Sequence, residues 1–154
     1  MTLLFICDNP AACSPFYDFL RDAGFRVLDV HNIESAVLYS YAKPVDGVLI
    51  YQDDVRLGSI IGCDMKPLFP GTPVVLITTG FETMTPSLGI DAICYSSSLD
   101  EEMSQVIAML FRDLLNKPQN PTNDRLEPAM NALGLFWYSV HEEFLRMTVI
   151  LIGS

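Results

Sequence analysis

Short apolar runs alternate with helix-like patterns along most of this chain. The runs at residues 3–7, 26–30, 45–51, 73–78 and 91–95 have the length and apolar character of strands. Between them, apolar residues recur three and four positions apart, as they do on one face of a helix. This alternation predicts a doubly wound α/β fold, in which helices cover both faces of a parallel sheet.

The helix signals differ in strength from one segment to the next. A first helix is predicted to start at Ser14, which precedes a proline. The last helix of the alternating region is predicted to start at a capping box formed by Ser98 and Glu101. The helix after the third strand is predicted to be weak, because Gly58 and Gly62 lie inside it.

Charge and cysteine usage narrow the functional classes. Nine Lys and Arg residues stand against 19 Asp and Glu residues, which gives a formal charge of −10. Such a field repels phosphate backbones, so direct nucleic-acid binding is not expected. The four cysteines show no CxxC or metal-ligand spacing, and the first residues lack the basic region of a signal peptide. We therefore predict a reduced, cytoplasmic protein whose cysteines act as small buried apolar residues.

The C-terminal part of the chain departs from the alternating pattern. Residues 117–123 are polar and contain prolines, so we predict a domain at 1–116, a linker at 117–123 and a helical extension at 124–154. Within the extension, seven large apolar residues follow the a/d spacing of a coiled coil. These are Met130, Leu133, Trp137, Val140, Phe144, Met147 and Leu151.

This apolar stripe is expected to be covered. It can pack on its own domain, pair with a second copy of the chain or bind another protein, and a homodimer is predicted first. The polar and charged residues His141, Glu142, Glu143 and Arg146 interrupt the stripe, so a membrane span is not predicted. The β-branched residues 148–152 also fit a strand, in which case the helix ends near Met147.

Three stretches of the sequence resemble one known family. Cys7 and Asp8 close the first strand, a proline followed by apolar residues leads to Thr78, and residues 89–93 lead into the fifth strand. In these features most of the chain resembles the response-regulator receiver domains of the CheY-like superfamily. The resemblance implies a flavodoxin-like, three-layer α/β/α sandwich with a five-stranded parallel sheet in the order 2-1-3-4-5. It also implies a reduced fourth helix, because residues 79–88 are fewer than in the family and poor in helix signal.

The family's functional positions fall on residues that change its chemistry. By the resemblance, these are the acidic pair at Cys7 and Asp8, the phosphoacceptor at Tyr51, the hydroxyl at Thr78, the switching aromatic at Ile93 and the lysine at Ser96. A phenol forms no acyl phosphate, a thiol suits Mg²⁺ poorly, and a serine supplies no positive charge. The resemblance therefore implies a degenerate pseudo-receiver that lacks the phosphoacceptor aspartate and the lysine.

We predict a non-enzymatic, phosphorylation-incompetent signalling domain that acts through protein–protein contacts, with no cofactor and no metal. The first rival prediction is a phosphorelay receiver that takes the phosphoryl group on Asp53 and binds Mg²⁺, with Asp54 as the other candidate acceptor. The second rival is a small-ligand-binding or enzymatic flavodoxin-like domain. Against nucleotide or flavin binding, no Gly-rich phosphate loop follows the first strand.

Overall fold

The computed structural model of the protein describes residues 1–79, 89–96, 98–116, 135–138 and 147–152, the last two ranges by their backbone alone. Its strands are Thr2–Cys7 (β1), Arg26–Val30 (β2), Gly47–Tyr51 (β3), Val74–Thr78 (β4), Ala92–Ser96 (β5), Leu135–Tyr138 (β6) and Met147–Ile152 (β7). Its helices are Pro10–Asp22 (α1), Ile33–Ala42 (α2), Val55–Leu68 (α3) and Glu101–Asn116 (α4).

The strands of the described chain form one sheet in the order β2-β1-β3-β4-β5-β7-β6. Strands β1 to β5 pair in parallel, which confirms the predicted flavodoxin-like fold and the order 2-1-3-4-5. Strand β7 runs antiparallel to β5, and β6 runs antiparallel to β7. The C-terminal segment therefore widens the parallel sheet by two strands.

Apolar side chains divide between two cores, one on each face of the sheet. Phe5 and Leu49 belong to the core that α1 and α4 cover, where Phe111 is also buried. Ile50 and Met65 belong to the core beneath α2 and α3. Because both faces of the central strands are buried, these strands read as continuous apolar runs in the sequence.

Helix α3 is longer and more regular than its glycines predict. It extends over 14 residues, because Gly58 and Gly62 let its backbone approach the sheet closely. A Cβ atom on Gly58 would lie 2.5 Å from Leu76 Cδ1, and one on Gly62 would lie 2.8 Å from the Gly89 carbonyl oxygen. The segment with the weak helix signal therefore still forms a full helix, because close packing against the sheet offsets the low helix propensity of glycine.

Two helix starts also differ from the sequence prediction. Helix α1 begins at Pro10 after an Asn9 cap, and not at Ser14. The backbone N–H at the start of α4 donates to the Asp100 carboxylate at 3.0 Å, so Asp100 caps this helix in place of Ser98. In both cases the cap is an Asn or Asp side chain, which is among the preferred acceptors for the free N–H groups of a first helical turn.

The predicted helical extension at 124–154 is wrong where the structure describes it. Trp137 lies in β6, and Met147 and Leu151 lie in β7, so these residues form no coiled-coil stripe. Without β7, strand β5 would be an edge strand with unpaired backbone groups, and the aromatic and β-branched residues of this segment favour pairing with it. The alternative prediction of a strand at 148–152 is confirmed.

Other C-terminal predictions concern residues that the structure does not describe. The remaining members of the apolar stripe lie outside the described residues, namely Met130, Leu133, Val140 and Phe144. The same holds for the linker at 117–123 and for residues 80–88, where a reduced fourth helix is predicted. In the described part of the chain, no helix has the length and apolar character needed to cross a membrane.

Candidate functional site

The carboxyl ends of β1, β3 and β4 meet at one edge of the sheet. Cys7 pairs with Tyr51, and Tyr51 pairs with Ile77 on its other side. Asp8 follows β1 directly, and Thr78 is the last residue of β4. The structure therefore brings Asp8, Tyr51 and Thr78 to the same edge, as the sequence predicts for the degenerate receiver pocket.

Tyr51 is half-buried at the end of β3, and its ring packs against the core beneath α1 and α4. Burial raises the pKa of its hydroxyl, and so do the charge and hydrogen bond of Asp53 and the charge of Asp8. The side chain is therefore a neutral phenol with Asp53 as its hydrogen-bond partner. A phenol in this position cannot form the acyl phosphate that an aspartate would form.

Asp53 is tied to this edge by two threonines. The buried Thr78 hydroxyl donates to the Asp53 carbonyl oxygen at 3.1 Å, and the Thr79 hydroxyl donates to the Asp53 carboxylate at 2.9 Å. The Asp54 carboxylate instead accepts two backbone N–H groups at the start of α3, at 2.8 and 3.1 Å. Of the two candidate acceptors, Asp54 is a helix cap, whereas Asp53 lies beside Tyr51.

Cys7 is bonded to Cys13 of α1. The Cα atoms of this disulfide are 7.1 Å apart, and both residues are fully buried. The prediction of reduced thiols is therefore wrong for this pair, because the turn from β1 into α1 brings two cysteines together at a spacing that matches no cysteine motif. Cys94 is buried as predicted, and burial raises the pKa of its thiol to about 12. Cys63 is exposed, contrary to the prediction.

Strand β5 supplies neither a cation nor an exposed aromatic side chain at the predicted positions. The Ser96 hydroxyl donates to the Ser98 carbonyl oxygen at 2.8 Å and accepts from the Ser98 N–H at 3.2 Å. Ser96 therefore shapes the turn that leads from β5 toward α4. Ile93 is buried in the core beneath α2 and α3, where it contributes to packing.

The donor set at this edge does not fit Mg²⁺, the ion that the receiver family uses. That ion prefers oxygen ligands in near-octahedral geometry. Asp8 is exposed, its carboxylate lies 3.5 Å from Gln52 Nε2, and the sulfur of its neighbour Cys7 is held by Cys13. Among the described residues, no three His, Cys, Asp or Glu side chains are grouped closely enough to hold a metal.

A cleft of about 290 Å³ opens beside Asp8 and Tyr51, between the sheet edge, α2 and α3. His31, Glu34 and Gln52 also line it and are not among the site residues predicted from the sequence. The positions of two of these residues in the sequence could have indicated the site. His31 directly follows β2 and Gln52 directly follows β3, at the carboxyl edge where open α/β sheets bind ligands.

Solved structures of receiver domains share this fold. A response-regulator receiver domain from Clostridium thermocellum is 17% identical, with a TM-score of 0.60 over 75% of this chain and 94% of that chain. The receiver domain of a sensor histidine kinase from Pseudomonas aeruginosa PAO1, which holds a magnesium ion in its active-site cleft, is 18% identical. Its TM-score is 0.58 over 71% of this chain and 95% of that one.

An atypical orphan response regulator with a phosphorylation-independent regulatory mechanism is 15% identical, with a TM-score of 0.55 over 76% of this chain and 97% of that chain. No protein-family model and no curated protein sequence matches the chain. The chain thus has the fold of response-regulator receiver domains.

We expect the phenol of Tyr51 to make part of the stability depend on pH. Its pKa is raised above 10.0 in the folded protein, so it favours folding below pH 10, and this contribution is lost as the pH rises from 10 toward the folded pKa. Tyr51→Phe should therefore lose stability less steeply above pH 10 than the parent does. Urea unfolding at several alkaline pH values measures the difference. Equal slopes for the two proteins would show that Tyr51 is solvated like a free tyrosine.

Proposed function

We propose that this chain is a phosphorylation-incompetent, receiver-like signalling domain that acts through protein–protein contacts and not as an enzyme. The observation that carries the proposal is the half-buried, neutral Tyr51 at the place of the phosphoacceptor. The pairing of Cys7 and the local role of Ser96 support it, because neither can serve the metal or the phosphoryl group. The similar orphan regulator works without phosphorylation, which supports such a use of the fold.

The proposed partner is a second copy of the chain or another signalling protein, bound through the C-terminal segment. Strand β6 supports this, because it ends the described sheet and an edge strand offers backbone groups for pairing. The formal charge of −10 supports a partner other than nucleic acid. We propose a cytoplasmic location.

The phosphorylation proposal is tested by mass spectrometry. After incubation with acetyl phosphate and Mg²⁺, we expect the intact mass of the protein to be unchanged. The Tyr51→Asp variant should also stay unmodified, because Cys7 and Ser96 still supply neither the second carboxylate nor the cation. Mg²⁺ should leave the Tm of both proteins unchanged, since binding stabilises a fold only when the ion exceeds its Kd.

A receiver domain with its acidic residues and lysine intact serves as the positive control in the same incubation. A phosphoryl adduct on Asp53 of the parent protein would overturn the proposal and favour the phosphorelay rival. An adduct on Tyr51→Asp at the new carboxylate would show that the remaining pocket is still competent. The Asp53→Asn variant separates the two cases, because it removes one carboxylate and leaves residue 51 unchanged.

A further inference from the structure

The cleft lies where the chain connections leave the sheet on opposite faces. Strand β1 leads to α1, which packs on one face, and β3 leads to α3, which packs on the other. In open α/β sheets, ligands bind in the crevice that such a divergence leaves at the carboxyl ends of the strands. The volume of about 290 Å³ is at the small end of the range for small-molecule sites.

The walls of the cleft are mainly apolar. Ile33 at the start of α2, Leu57 and Ile61 on α3, and Ile6 of β1 line it together with Tyr51. Leu57 is 44% exposed, so part of this apolar wall faces water. Covering the wall with an apolar group would release that water, which favours binding.

The rim of the cleft is acidic. Asp8 and Glu34 both line it and are exposed. Among the lining residues, His31 is the side chain that can become positive, and its Nε2 atom lies 3.8 Å from the Asp29 carboxylate, which would compensate that charge. An anion would therefore meet two uncompensated carboxylates, whereas a cation would be attracted by them.

The start of α2 does not change this preference. The N–H of Ser35 donates to the Asn32 side chain at 2.8 Å, and the N–H of Ala36 donates to the Asn32 carbonyl oxygen at 3.3 Å. Glu34 places a negative charge in the same first turn. The N–H groups at the start of α2 thus already have acceptors within the chain, and the Glu34 carboxylate partly offsets the positive end of the helix dipole.

We propose that this cleft binds a small primary amine with a short aromatic or aliphatic body. The ammonium group lies at the rim formed by Asp8 and Glu34, and the body covers the wall formed by Ile33, Leu57 and Ile61. This inference is independent of whether the domain can be phosphorylated, since it uses neither Asp53 nor Ser96.

The test is a titration of the full chain, followed by backbone amide NMR, with 2-phenylethylamine as the probe. Its matched control is 3-phenylpropionate, which has a similar body and the opposite charge. We expect the amine to shift the amide signals of the cleft residues with a Kd below about 1 mM, and to bind at least about tenfold more tightly than the carboxylate. Equal binding of the two probes would overturn the charge assignment, and no shift with the amine would overturn the site.

Two surface variants locate the binding. Glu34→Gln removes one rim charge and should raise the Kd of the amine on the order of fivefold. Leu57→Gln removes part of the apolar wall and should weaken the binding of both probes. Asp22→Asn, an exposed acid at the end of α1, is the control and should leave the affinity unchanged. Unchanged affinity in Glu34→Gln, with an unchanged Tm, would show that the shifts come from nonspecific association with an acidic protein.

Discussion

Replacing Val149 with proline is expected to lower the free energy of unfolding by about 3 kcal/mol or more. Val149 lies in β7 and has paired neighbours on both sides: Cys94 of β5 on one side and Tyr138 of β6 on the other. Proline has no backbone N–H, and its ring does not fit inside a strand that has neighbours on both sides. Urea unfolding followed by circular dichroism measures the loss.

Val149→Thr is the matched control, because threonine keeps the β-branched shape and the backbone N–H. It should retain most of the stability that the proline variant loses. A chain truncated after Asn116 should behave like the proline variant and also associate, because β5 would then be left as a bare edge. If the proline variant and the truncated chain both have the same urea midpoint of unfolding as the parent protein, β7 contributes nothing to the stability of the sheet and the receiver-like part folds alone.

Local sequence predicts the secondary structure of the five parallel strands but not that of the C-terminal segment. Strands such as β3 and β4 are buried on both faces, and their short apolar runs, rich in β-branched residues, favour a strand over a helix. The C-terminal residues have large apolar side chains spaced three and four apart, and they also contain consecutive apolar runs at 135–138 and 147–152. Local sequence cannot decide between helix and strand there, because the partner is β5, which lies far away in the chain.

The candidate site also contains residues whose positions the sequence predicts and residues whose positions it does not. The places of Asp8, Tyr51 and Thr78 could be predicted, because each lies at or next to the end of a strand in a fold whose strand order was known from the resemblance. The bond between Cys7 and Cys13 could not, since it depends on how the turn into α1 is made. Glu34 joins the cleft through the packing of α2 beside α3, a long-range contact that no local pattern reports.

Replacing Gly89 with alanine is expected to lower the free energy of unfolding by about 3 kcal/mol, a large cost for one methyl group. A Cβ atom at this position would lie 2.5 Å from the Cα atom of Cys63 and from the carbonyl carbon of Gly62. Both atoms are backbone, so no side-chain rotation relieves the overlap, and α3 would have to move away from the start of β5. Thermal and urea unfolding of the variant measure the cost.

Ser59→Ala on the same helix is the control for this prediction. In the described structure the Ser59 hydroxyl is buried without a hydrogen-bond partner, so its removal should be neutral or stabilising by up to about 1 kcal/mol. Because Leu57 and Ile61 on α3 line the cleft, displacement of this helix by Gly89→Ala should also weaken binding of the amine, whereas Ser59→Ala should not. A Gly89→Ala protein as stable as Ser59→Ala would mean that α3 does not sit against β5 as closely as its two glycines permit.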